Sequence, residues 1–210
     1  MIPVREQPEP PNFSVEVRIP GQTFLKRIPK PTSKQFNKER HWRNSIDDLY
    51  RLYNGLCAYS AHWIPRDVGR ATVDHFIPKE TAPDLAYEWR NFRLCSEKLN
   101  NNKGNLLDVM DPFQIKPGWF VIDFPTFFIK AEARLPQYLK DRIDQTITCL
   151  GLNDDDHFVQ ERANLTKLYC DGEITFGFLE KRYPFIAYEL QRQDLKERIK
   201  TMLRMPTAAT

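Results

Sequence analysis

The stretch Val73-Asp74-His75-Phe76-Ile77-Pro78-Lys79 constrains this chain more than any other. Its β-branched and aromatic residues favour an extended strand, and Pro78 cannot donate to a strand ladder, so the strand should end there. Such a strand delivers a carboxylate and an imidazole side by side. Neighbouring strand residues point to opposite faces, so Asp74 and His75 can serve one site only through a twist or at a strand end. Two further stretches follow, Trp89-Arg90-Asn91-Phe92-Arg93-Leu94-Cys95 and Leu99-Asn100-Asn101-Asn102-Lys103-Gly104. Upstream, Gly55-Leu56-Cys57-Ala58-Tyr59-Ser60 has the form of a worn metal knuckle.

A phosphodiester resists cleavage because the nucleophile must approach a negatively charged group and the leaving oxygen must take up charge. A divalent ion polarises the phosphoryl oxygen and steadies the leaving alkoxide. A histidine near neutral pKa can take the proton from water. In their order and spacing these pieces resemble the HNH nucleases, whose site is a ββα-metal fold. The resemblance implies an α+β fold with a ββα-metal core, Asp74 as a metal ligand and His75 as general base. It further implies Asn91 as the brace that orients the histidine, Asn100 as the second ligand, and Lys103 near phosphate or closing the helix. Lys79 is expected on phosphate as well. The cofactor would be Mg2+ or a similar ion such as Mn2+, which keeps several waters and needs few protein ligands.

The chain departs from the family pattern twice. Where many members carry two Cys-x-x-Cys pairs around a structural zinc, this sequence has Cys57 with Ser60 and Cys95 with Leu99. That set does not supply the four ligands such a zinc prefers, even if His62 stands in for one. A structural zinc is therefore not expected, and Tyr59, Trp63 and Leu99 are expected to pack in its place. The three successive asparagines leave a choice of ligand, with Asn101 the alternative to Asn100. Taken singly, each piece has a plain structural meaning: a surface Asp-His pair, a helix C-cap before Gly104, a small buried hydrophobe at Cys95. It is their joint order that carries the assignment. His41, His62 and His157 have no paired ligand spacing and read as structural or surface residues.

The remaining chain frames this region. Residues 1–12 are rich in proline and read as an irregular arm, and Phe13–Ile19 and Thr23–Ile28 as the two strands of a hairpin about Pro20-Gly21. A helix is expected from Ser33 to Tyr53, with Trp42, Ile46, Leu49 and Tyr53 inward. Lys26, Arg27, Lys30, Lys34, Lys38, Arg40 and Arg43 are opposed locally only by Glu39. Such a run is either a solvated face or a backbone-contacting patch, in which Lys34, Lys38 and Arg43 would touch nucleic acid. After Asp111-Pro112, two strands about Pro125 should precede a helix with Leu139, Ile143, Ile147 and Leu150 on one face. Asp154-Asp155-Asp156 should cap the next helix, and a last one should run from Phe185 to Met205. The expected organisation is 1–54 (arm, hairpin, basic helix), 55–110 (the motif) and 111–210 (hairpin and helical part), in one integrated domain.

The net charge of +3 and pI near 8.6 permit a polyanionic partner without demanding one. Four scattered cysteines, a start without an apolar leader and no unbroken apolar span point to a cytoplasmic protein with no membrane partner. Outside the motif, Tyr87-x-Trp89-x-Asn91, Asp111-Pro112-Phe113 and Leu150-Gly151-Leu152-Asn153 make the chain similar to HNH subunits of Septu-type and retron-linked phage-defence systems. In those systems the nuclease works beside an ATPase. The sequence thus leads to a metal-dependent endonuclease acting on nucleic acid, DNA before RNA. The alternatives are a subunit silent until an ATPase partner gates it, and a binding module that has lost catalysis.

Overall fold

A computed structural model describes residues 1–153 and 156–204. It is a mixed α/β structure with two small antiparallel sheets and several helices. The N-terminal arm is irregular but pinned, since the Gln7 N–H donates to the Tyr53 hydroxyl and the Trp89 indole donates to the Gln7 carbonyl.

The hairpin expected over residues 13–28 is not formed. A π-helical turn over Ser14–Arg18 runs straight into helix α1, Ile19–Arg27. Phe13, Val17, Gly21 and Phe24 are buried, a helical spacing, whereas Val15 and Ile19 are exposed. The alternation that suggested a strand therefore has its apolar residues on opposite sides of a helix. Pro20 lies where the π-helical turn passes into α1, at the point where the hydrogen-bond ladder changes its spacing.

The single helix expected from Ser33 to Tyr53 is broken into three pieces. Helix α2 (Ser33–Phe36) is capped by Thr32, which exchanges bonds with Gln35 in a capping box. A 3-10 turn over His41–Ser45 follows, and then α3, Ile46–Leu52. The break brings Arg40, Trp42 and Arg43 to the lining of one cavity.

Strand β1 (Ala71–His75) pairs antiparallel with β2 (Phe92–Ser96), Asp74 opposite Arg93 and His75 opposite Phe92. Helix α4 (Glu97–Lys103) leaves β2 directly and packs back on the ribbon, ending at Gly104 with φ +48°. Strands β3 (Phe120–Asp123) and β4 (Phe128–Ala131) form the second antiparallel pair, close to the expected positions. Helix α5 (Gln137–Leu150) buries Leu139, Ile143, Ile147 and Leu150, as its spacing indicated. Helix α6 covers Asp156–Asp171, and the capping expected of Asp154 and Asp155 falls outside the described residues. Helix α7 (Phe176–Arg182), capped by Thr175, was not anticipated, and the expected last helix is split into α8 (Pro184–Arg192) and α9 (Arg198–Arg204). Buried side chains from Met1 to Ile199 form one continuous apolar cluster, so the motif region is held from both sides.

Candidate functional site

The alternation of β1 sorts the motif residues. Thr72 and Asp74 face α4: Asn100 Nδ2 donates to Thr72 Oγ1 at 2.9 Å, and Lys103 Nζ donates to Asp74 Oδ1 at 3.1 Å. His75 faces the other way, with the rings of Trp42 and Phe92 edge-on at 5.0 and 5.2 Å. The strand end does not bring Asp74 and His75 together. It separates them.

His75 is 8% exposed, and its Nε2 lies 2.9 Å from the Ala86 carbonyl. A carbonyl only accepts, so Nε2 carries the hydrogen and Nδ1 is the bare acceptor of the neutral ring. Burial holds the imidazole down to about 3; the Ala86 bond opposes this, and Lys79 and Lys103 add to it. Asn91 supports this arrangement indirectly. Its Oδ1 accepts from Ile77 N at 2.8 Å, and its Nδ2 donates to the carbonyls of Ile77 and Leu85. Asn91 thus ties down both ends of the loop that presents Ala86 to His75.

His75 lines a cavity of about 460 Å³ along the free edge of β1. One wall is α4, with Glu97, Asn100 and Asn101; the other is the broken segment with Asn37, Arg40, Trp42 and Arg43. Arg70 and Lys79 complete the rim, so four cations meet a single carboxylate among the lining residues. Arg40 Nη2 donates to Asn37 Oδ1 at 2.8 Å, while its buried Nε has no partner among the described residues. Lys79 reaches the cavity from over the Phe36 and Trp42 rings, paired with Glu80 at 3.1 Å. Arg70 pairs with Glu97 at 2.8 Å. A basic, water-accessible cleft with a neutral imidazole in its wall can receive a phosphate group and accept a proton beside it.

Several residues lie elsewhere than the sequence indicated. Lys103 is fully buried and cannot touch a phosphate in the cavity. Its ammonium donates to Asp74 and, at 2.9 Å, to the His75 carbonyl. Lys34 and Lys38 are exposed on and after α2 and do not line the cavity, whereas Arg43 does. Arg40 and Arg70 were not singled out. A basic run on a helix assumed continuous gave no way to choose among its members, and Arg70 stands alone ahead of β1.

Asp74 was expected to hold a metal, and its surroundings do not suit one. The carboxylate is 2% exposed; Oδ1 is taken by Lys103 and Oδ2 by the Tyr59 hydroxyl at 2.5 Å. A divalent ion there would stand against a buried ammonium. The Asn100 amide is spent on Thr72 and the Val73 carbonyl, leaving only its oxygen, and Asn101 lines the cavity. Among the described residues no group of three or more His, Cys, Asp or Glu could hold an ion. As arranged, the Asp74 and Asn100 pair does not fit Mg2+.

Where a zinc knuckle would stand, Cys57 and Cys95 approach to 4.0 Å, with Tyr59 and Leu99 fully buried beside them. Among the described residues no helix is long and apolar enough to cross a membrane.

The chain is 28% identical over 114 residues to the Septu protein PtuB of Bacillus thuringiensis. The match covers 54% of this chain and 43% of that protein, so the chain spans less than half the length of the relative it matches. No protein-family profile matches the chain.

Proposed function

We propose that the protein is a phosphodiester-cleaving component of a Septu-type defence system, with β1, β2 and α4 as an HNH-like ββα core. The observation that carries this is His75: a neutral imidazole, fixed through Nε2 by Ala86, set in the wall of a cavity rimmed by Arg40, Arg43, Arg70 and Lys79. In this reading the rim cations hold phosphate oxygens of DNA, and Nδ1 takes a proton from water as its oxygen attacks phosphorus. The bond to the leaving sugar oxygen then breaks. An anionic phosphate in the cavity favours the imidazolium, and so strengthens a base that the empty cavity leaves weak. Asn91 acts through the loop that holds Ala86. The kinship with PtuB supports the defence setting, over the half of this chain that it covers.

The test is cleavage of plasmid DNA by the isolated protein with Mg2+, with Mn2+ and with EDTA, beside His75→Ala. Nicking that disappears in His75→Ala, and survives in Lys34→Ala as a surface comparison, is expected. Equal nicking by His75→Ala would overturn the assignment. Because Asp74 is engaged on both oxygens, the EDTA arm decides whether an ion enters at all, which requires Lys103 and Tyr59 to release the carboxylate.

A second reading rests on that same engagement. A carboxylate locked under Lys103 and an imidazole near pKa 3 describe a resting site, as expected of a subunit gated by an ATPase partner. Silence of the folded protein alone, with cleavage appearing only on mixing with the partner, is the signature of this version.

A further inference from the structure

Cys57 and Cys95 are almost wholly buried, and their sulfurs lie 4.0 Å apart with no third soft ligand beside them among the described residues. Both backbones are tightly held. Cys57 N–H donates to the His62 carbonyl, Ala58 N–H donates to the Leu94 carbonyl, and Cys95 lies in β2 opposite Thr72. The two thiols are not equivalent. Burial pushes the Cys57 thiol up, but the Cys95 S–H and the backbone N–H groups of Ser60 and Ser96 outweigh it and bring it down to about 6. Burial drives Cys95 the other way, well above its ordinary value. Cys57 also lines a second cavity of about 330 Å³, with Ser60, His62, Arg70 and Glu97, whereas Cys95 does not. Cys57 thus borders space that a small solute can enter, and Cys95 lies behind it at 4.0 Å.

We propose that Cys57 and Cys95 are a peroxide-reactive pair, Cys57 the attacking sulfur and Cys95 the resolving one, closing to a disulfide between the knuckle loop and β2. The Cys57 thiolate attacks one oxygen of hydrogen peroxide; the O–O bond breaks, hydroxide leaves, and Cys57 becomes a sulfenic acid. Cys95 sulfur then attacks the Cys57 sulfur, the S–O bond breaks, and the thiol proton and hydroxyl leave as water. Two thiols are oxidised by two electrons and one peroxide is reduced to two waters. Closing the bridge brings the sulfurs from 4.0 Å to about 2.05 Å. The chemistry holds whether or not the protein cuts nucleic acid.

The test is to treat the full-length protein with hydrogen peroxide, alkylate the remaining thiols, and map the products by mass spectrometry. The expected result is a loss of two hydrogens, reversed by dithiothreitol, with the bridge joining the Cys57 and Cys95 peptides. Cys149 and Cys170 should remain alkylatable. In Cys95→Ser a sulfenic acid should build up at Cys57 and be trapped by dimedone. First products at Cys149 or Cys170, or sulfinic acid at Cys57 with Cys95 still alkylated, would overturn the proposal. Should Cys95→Ser fail to fold, the wild-type map alone decides.

Discussion

At the scale of single residues, the buried Lys103–Asp74 pair is the least expected feature and the easiest to test. Both groups are withdrawn from water, so the pair adds little net stability, but removing one partner strands the other charge. Lys103→Met should therefore cost about 3–5 kcal/mol, seen as a lower urea midpoint with unchanged slope. Adding Asp74→Asn should recover part of that loss, since the carboxylamide needs no counter-ion. A Lys103→Met variant as stable as wild type would show that Lys103 does not sit where it is described. No local pattern signals this contact. Asn-x-x-Lys-Gly reads equally well as a helix end with a solvated lysine, and only the packing of α4 on the Asp74 face of β1 buries the ammonium.

At the scale of elements, what the chain discloses depends on how local the cause is. The strand through Asp74 and His75, the β3–β4 pair and the stripe of α5 are written in short-range pattern, and they form close to where they are read, β1 stopping at His75, short of Pro78. The N-terminal segment is decided by a distant partner. An ideal Cβ on Gly21 would come within 2.1 Å of Tyr87 Cγ, so α1 docks only because residue 21 has no side chain. Pro20-Gly21 reads as a turn to any local rule, yet the glycine is there for contact. Helix propensity alone says Gly21→Ala should stabilise α1 by about 1 kcal/mol. The steric argument says it should destabilise by about 1–3 kcal/mol. The second is expected to win, because the Tyr87 ring is anchored by its hydroxyl, which donates to the Glu39 carbonyl at 2.8 Å. A thermal melt of Gly21→Ala gives the sign. The same break-up of helical pattern made the cavity hard to see, since Arg40 and Trp42 reach it only where the helix expected over 33–53 is interrupted.

At the scale of the whole molecule, two histidines on different walls make folding sensitive to acid. Burial holds His75 down to about 3, Lys79 and Lys103 adding to the effect; burial does the same to His62, with Arg162 adding. His62 is packed edge-on against Tyr183 at 5.2 Å and is only half-buried, so its share is the smaller. In the unfolded chain both titrate near 6.5. Above that value neither state binds these protons, and the histidines leave stability independent of pH. As pH falls from about 6.5 toward 3, the unfolded chain takes up protons that the native state refuses, and stability is lost across that window. Well inside it, one such group contributes a slope of up to about 1.4 kcal/mol per pH unit. Carboxylates released from ion pairs add to the loss at lower pH, so the contribution is isolated by difference. Urea unfolding at pH 7 and pH 5 should show a smaller drop in His75→Gln than in wild type, and a smaller one still with His62→Gln added. An equal drop in all three proteins would mean that these rings are not held neutral by the fold. In that case the base assigned to the cavity would be an ordinary surface histidine.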